Sequence, residues 1–170
     1  METLFDETAI ARRTAELAQS IIADLGEDFT LVPILTGGFV FGADLLRALQ
    51  TAGADPEVDF VQLASYGKSR ESSGLVRVIK DFTLDLEGRT VLLVDDVLDS
   101  GRSLAHAKNM LAERNAARVA VAVAVRKEKE RAVPIEAEYA LFDAPGDAFL
   151  VGYGMDDAGR KRGVPVIGKL

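Results

Sequence analysis

The sequence predicts an α/β fold whose sheet is mostly parallel, twisted and flanked by helices. Two observations carry this. Short apolar runs alternate along the chain with amphipathic stretches at helical spacing. Three of those runs, "FTLVPIL", "TVLLVDD" and "RVAVAVAV", are apolar almost throughout, as strands covered on both faces must be. In order, residues 7–25 place Ile10, Leu17, Ile21, Ile22 and Leu25 on one helical face, and Gly26 ends the helix. Residues 29–35 form a buried strand. "TGG" (36–38) leads into a second helix, "FVFGADLLRALQTAG". Residues 57–66 alternate as a strand, 67–74 form a polar loop rich in Gly and Ser, and 75–82 form another strand, so that 57–82 reads as a hairpin. Strand 90–96, helix 103–116 and strand 118–125 follow, and two short strands are predicted at 139–145 and 149–154.

Composition narrows the function. The 170 residues fit one domain, 1–170, and a hydrophobic content of 48% supports a substantial core. With no cysteine, disulfides, thiolate catalysis and Cys-based zinc sites are excluded. The single histidine, His106, falls inside a helix and reads as a helix-surface or packing residue. The N-terminus lacks the uninterrupted apolar stretch of a signal peptide. No run approaches the roughly 18 apolar residues of a membrane span. A cytoplasmic protein without membrane partners is expected. The net charge of −7 argues against a duplex nucleic-acid partner. Two basic clusters, "VRKEKER" (125–131) and "GRKRG" (159–163), read by themselves as solvated loops. The terminal "GVPVIGK" matches part of a phosphate-binding P-loop, but Leu170 follows and no helix does, so the match is accidental.

The stretch "VLLVDDVLDSGRSL" (91–104) carries the chemistry. A buried strand delivers Asp95 and Asp96 at its C-terminal end, where parallel α/β sheets place their ligands. Gly101 permits an unusual backbone shape. Ser100, Gly101, Arg102 and Ser103 offer N–H groups and hydroxyls at a helix N-terminus, a good place for phosphate. A phosphate cradle beside carboxylates suits a sugar phosphate with a bound divalent cation. The competing structural reading makes Asp99 or Ser100 a helix N-cap. That accounts for one acidic residue and not for three within five positions.

This stretch resembles the 5-phosphoribosyl pyrophosphate (PRPP) motif of type I phosphoribosyltransferases. "ILTGGFVFGADLLR" (34–47), "VDFVQLASYG" (58–67), "VAVRK" (123–127) and "FLVGYGMDDAGRKRGVPVIGKL" (149–170) are similar, in order, to the hypoxanthine–guanine branch. The resemblance implies an α/β core with a small hood built from the chain ends, here 1–10 and about 127–170. It implies transfer of the phosphoribosyl group of PRPP to N9 of a 6-oxopurine, hypoxanthine or guanine, with Mg²⁺ as cofactor, in a homodimer or homotetramer. Asp95 and Asp96 match the acidic pair at the ribose hydroxyls and Mg²⁺. Asp99 matches the acid–base residue near purine N7. Ser100, Gly101, Arg102 and Ser103 match the 5′-phosphate loop, and Thr36 and Gly37 a pyrophosphate loop with a cis peptide at Leu35–Thr36. Lys127 matches the donor to purine O6, Phe149 the stacking aromatic, and Leu150 a contact to the base edge. Asp156 matches a Mg²⁺ ligand and Arg162 a pyrophosphate ligand. Ser65 and Tyr66 begin a flexible loop over about 65–75.

The chain departs from the family pattern at several positions. Thr36 stands where lysine is common, Arg126 where aspartate is, Asp157 where tyrosine is, and Ser100 and Ser103 where threonines are. Two alternatives remain beside the main expectation. One is a xanthine-preferring enzyme. The other is a non-catalytic PRPP sensor that binds nucleic acid, against which Asp99, the C-terminal motif and the net charge all argue.

Overall fold

The computed structural model describes residues 1–65 and 75–170. In order the elements are β1 (Glu2–Phe5), α1 (Glu7–Leu25), β2 (Thr30–Leu35), α2 (Phe39–Thr51), β3 (Glu57–Val58), β4 (Val61–Ser65), β5 (Val76–Lys80), β6 (Thr90–Leu98), α3 (Arg102–Glu113), β7 (Arg118–Glu128), β8 (Tyr139–Pro145), β9 (Leu150–Val151) and β10 (Ile167–Lys169). The main sheet runs β5-β4-β2-β6-β7-β8, with β3 also on β2. All its pairings are parallel except β4 with β5, which forms the expected hairpin. A second, three-stranded antiparallel sheet, β1-β10-β9, joins the two ends of the chain.

Local chemistry sets the helix limits. Asp6 caps α1 by accepting from the Ala9 N–H at 2.8 Å, and Gly26, at φ 78°, ends it. The alternation "VAVAVAV" in β7 sorts by face. Ala120, Ala122 and Ala124 pack with Leu92, Val94 and the buried sides of α1 and α2, including Leu17, Ile21, Phe41, Leu45 and Leu49. Val121 and Val123 pack with Val91, Leu93 and the α3 residues Leu104, Ala107 and Leu111. Alanines leave room for the closely laid α1–α2 pair, while valines fill the face that α3 covers.

Four expectations need correction. Strand 57–66 is broken into β3 and β4, because Asp59 turns inward. Its carboxylate accepts from the N–H groups of Phe60 (2.7 Å), Thr83 (2.7 Å) and Leu84 (2.9 Å) and from Lys80 Nζ (3.3 Å). Strand 149–154 shrinks to Leu150–Val151, since Gly152, Tyr153 and Gly154 all have positive φ (88°, 49° and 101°), which no strand tolerates. The central strands run on past their apolar cores, β6 to Leu98 through the pairs Val97↔Val125 and Leu98↔Arg126, and β7 to Glu128 through Lys127↔Ala144 and Glu128↔Pro145 on β8. Strands β1 and β10 were not anticipated. At four and three residues they are too short to show a period, and each depends on a partner from the opposite end of the chain. Among the described residues, no helix is long and apolar enough to cross a membrane.

Candidate active site

The C-terminal end of β6 forms the floor of a cavity of about 280 Å³. Asp95 is buried, and its Oδ1 accepts from the Asp96 N–H at 2.9 Å. Asp96 repeats the pattern, accepting from the Val97 N–H at 2.7 Å. Each carboxylate therefore satisfies the next amide, and among the described residues no lysine or arginine hydrogen bond to either is seen. Burial, followed by the neighbouring Asp96 charge, pushes the Asp95 carboxyl well above the usual carboxylate range. Burial raises Asp96 as well, with the Arg162 guanidinium acting in the opposite direction. Gly37 closes over this pair. A Cβ there would lie 2.2 Å from Asp96 Oδ2, so no other residue fits without displacing the carboxylate. The Leu35–Thr36 peptide just before it is cis, as expected.

At the other end of the cavity the chain turns from β6 into α3. Gly101 is the helix N-cap, at φ 79°, and a Cβ on it would come within 2.4 Å of Ile135. The capping role considered for Asp99 or Ser100 is therefore not realised. Ser100 Oγ makes only a long contact, 3.4 Å, to the Arg102 N–H. Arg102, Ser103 and Leu104, the first turn of α3, all line the cavity, so the positive end of the helix faces it.

Asp99 points elsewhere. Its Oδ2 accepts from Lys127 Nζ at 3.0 Å, and Lys129 Nζ lies 2.6 Å from Oδ1, an ion pair outside hydrogen-bond angles. Half-burial alone would raise this carboxyl, but Lys129 and Lys127 together hold it below the usual range.

The last wall is the loop after β9. Arg162 Nη1 donates to the Gly154 carbonyl at 2.6 Å, and its Nη2 pairs with Asp156 Oδ1 at 2.8 Å. Asp156 Oδ2 accepts from the Gly159 N–H at 2.7 Å. The loop packs hard against the opposite wall, because a Cβ on Gly154 would meet the Gly37 carbonyl at 2.3 Å.

One cavity thus gathers Thr36, Gly37, Asp95, Asp96, Asp99, Ser100, Gly101, Arg102, Ser103, Asp156 and Arg162. Lys127 joins it through Asp99. The structure does not line the cavity with Phe149, Leu150 or Ser65. Phe149 is 37% exposed, Leu150 is buried in the terminal sheet opposite Lys169, and Ser65 ends β4. Tyr66 and the loop at 66–74 lie outside the described residues. His106 is half-buried on α3 and away from the lining. Arg126 turns from the site to make a two-pronged pair with Asp143 across β7 and β8, at 2.7 and 3.2 Å. Asp157 sits in a tight turn closed by mutual backbone bonds with Arg160. Sequence reasoning missed Lys129, which it placed in a solvated run. Lys129 lies one residue past the end of β7, where the chain turns and its N–H donates to the Lys127 carbonyl at 3.1 Å, so no strand periodicity marks it in advance. Ile34, Leu63 and Val97 also line the cavity, and nothing about an apolar strand residue marks it in advance.

Among the described residues no three acidic or histidine side chains stand close enough to hold a metal by themselves. Asp95 and Asp96 supply two hard oxygen donors that form no ion pair among the described residues, with only the Arg162 charge bearing on Asp96. That donor set fits Mg²⁺ bound through one or two carboxylates together with substrate oxygens, rather than in a protein cage.

Comparison with known proteins agrees over the whole chain. The model of the phosphoribosyl transferase domain matches residues 1–158. A hypoxanthine-guanine phosphoribosyltransferase of Dictyostelium discoideum is 36% identical over 99% of this chain and 94% of its own. A hypoxanthine phosphoribosyltransferase of Escherichia coli K12 is 38% identical over 100% of this chain and 95% of its own. The solved hypoxanthine phosphoribosyltransferase of Staphylococcus aureus superposes with a TM-score of 0.91 at 32% identity, covering 100% of this chain and 91% of that one.

Proposed function

Since the chain belongs to the phosphoribosyl transferase family, in its hypoxanthine–guanine branch, we propose that its cavity joins the 5-phosphoribosyl group of PRPP to N9 of hypoxanthine or guanine and releases pyrophosphate, a purine-salvage reaction. One observation carries this reading: a helix N-terminus, the two carboxylates Asp95 and Asp96, and Asp99, itself paired with Lys127, line one continuous cavity.

The reaction breaks the bond between ribose C1′ and a pyrophosphate oxygen as positive charge develops on the sugar, while N9 of the base forms the new bond. The protein's part is then mostly placement and charge. The first turn of α3, with Ser100 and Ser103, receives the 5′-phosphate. Thr36, Gly37 and Arg162 grip the pyrophosphate, Arg162 by exchanging its pair with Asp156 for two phosphate oxygens. Asp95, Asp96 and Asp156 are the donors that would hold Mg²⁺, and the ion would supply positive charge beside the pyrophosphate. Asp99 takes or shares the purine N7 proton. It lies low enough in pKa to be ionised at neutral pH and so to act as an acceptor. Lys127, all donor, selects an oxo group at C6 over an amino group. Phe149, exposed at the edge of the terminal sheet, is offered as the face on which the base stacks, with Leu150 beside it.

The test is pyrophosphate release with PRPP and Mg²⁺, given hypoxanthine, guanine, xanthine or adenine in turn. Release with hypoxanthine or guanine and little with adenine is expected. No release with any 6-oxopurine rejects the proposal. In the same assay Asp99→Ala should lower kcat about 10²- to 10⁴-fold, the range for general acid–base groups, with little change in PRPP affinity.

A further inference from the structure

Asp99 is held by two ammonium groups, and they do not compete. Lys127, 11% exposed, takes Oδ2, while Lys129, 38% exposed and one residue past the end of β7, takes Oδ1. If Lys127 is the donor to purine O6, its ammonium must turn at least partly from Asp99 when the base arrives. With Lys127 as the sole partner, that movement would leave a half-buried carboxylate without a cation at the moment of binding, an unfavourable state. With Lys129 on the other oxygen, Asp99 stays paired whichever way Lys127 points. The run "RKEKER" otherwise reads as solvated charge, and a lysine there is ordinarily worth little. The 2.6 Å approach to the one carboxylate that borders both the cavity and Lys127 sets Lys129 apart.

We infer that Lys129 is a positioning residue for purine binding, which holds Asp99 in place and frees Lys127 to reach the base. The inference rests on the proposed roles of Lys127 and Asp99. It concerns the base and not PRPP, because the α3 N-terminus, Asp95, Asp96 and Arg162 make no ion pair with Lys129 among the described residues.

The experiment is steady-state kinetics of the full chain, wild type against Lys129→Met and Lys129→Arg, varying hypoxanthine and PRPP separately. In Lys129→Met the KM for hypoxanthine should rise about fivefold, the upper end for a partly exposed ion pair. The KM for PRPP and the Tm should be unchanged, and Lys129→Arg should restore the hypoxanthine KM. An unchanged hypoxanthine KM, equal rises for both substrates, a lowered Tm, or no rescue by arginine would each overturn the inference while leaving the base-site reading intact. Absence of turnover by the wild type with every 6-oxopurine would instead remove that reading, and this inference with it.

Discussion

Asp59 and Asp95 are both buried carboxylates on the parallel sheet, and the fold treats them in opposite ways. Asp59, just before β4, is 5% exposed and receives three backbone N–H groups and a lysine. Burial works against its charge, but the N–H groups of Leu84, Phe60 and Thr83, with Lys80, outweigh it and draw the carboxyl below the usual range. Asp95, 9% exposed at the end of β6, receives the N–H of Asp96 and faces a second carboxylate. Its carboxyl is pushed the other way, by burial and then by Asp96. The contrast fits a structural role for Asp59 and, under the proposed function, a ligand-binding one for Asp95. Where a carboxylate holds the chain together, the chain supplies its donors. Where donors are missing, the proposed function has a cation from solution or substrate complete the site.

The sharpest way to break the Asp95–Asp96 side is Gly37→Ala. Its methyl would sit 2.2 Å from Asp96 Oδ2 and displace the carboxylate. We expect kcat/KM for PRPP to fall about 10²-fold, the usual cost of misplacing a reacting group by an ångström. Asp59→Ala tests the other side. It strands the N–H groups of Phe60, Thr83 and Leu84, for a loss of about 3 kcal/mol. Calorimetry should then show Tm lower by ~6–12 °C for a chain of this size. Turnover per folded molecule at 25 °C should be retained. A smaller effect of opposite sign is expected from Asp95→Asn, which removes one of two crowded charges. Tm of the ligand-free protein should rise by ~2–4 °C, about 1 kcal/mol, while protection by Mg²⁺ with PRPP disappears. A fall in Tm would mean that Asp95 is structural after all.

The smallest effect is in pH dependence, where the two acids should slope oppositely. The folded pKa of Asp59 is lowered, so its contribution is present above the ordinary value of 3.8 and is lost as pH falls through the folded value. The folded pKa values of Asp95 and Asp96 are raised. Their contribution is fullest below 3.8 and is lost as pH rises through the folded values. Denaturant midpoints across pH should therefore converge between wild type and Asp59→Asn toward acid. Between wild type and Asp95→Asn they should diverge as pH rises.

The same contrast explains what could be read in advance. Asp95, Asp96, Asp99 and Ser100–Ser103 were legible because one strand end and one turn hold them contiguously, so their chemistry is visible in fourteen letters of sequence. Helix α1 was legible through the helical spacing of its apolar residues and Gly26 at its end; its Asp6 cap appears only in the structure. Asp59 was not, since its partners at 80, 83 and 84 come from across a hairpin and nothing local marks the inward turn. Lys129 was hidden by its charged neighbours, and β1 and β10 by a pairing between opposite ends of the chain. Asp156 and Arg162 carry no local signature either. Their nomination rested on resemblance, and the packing of Gly154 against the Gly37 carbonyl is what brings their loop to the cavity.

Transfer to N9 is tested most directly by identifying the product formed from PRPP, Mg²⁺ and hypoxanthine, by mass spectrometry with parallel pyrophosphate quantitation. The purine ribonucleoside 5′-monophosphate and pyrophosphate should form in equal amounts. Ribose 5-phosphate and pyrophosphate without the nucleotide, or no consumption of PRPP, would contradict it.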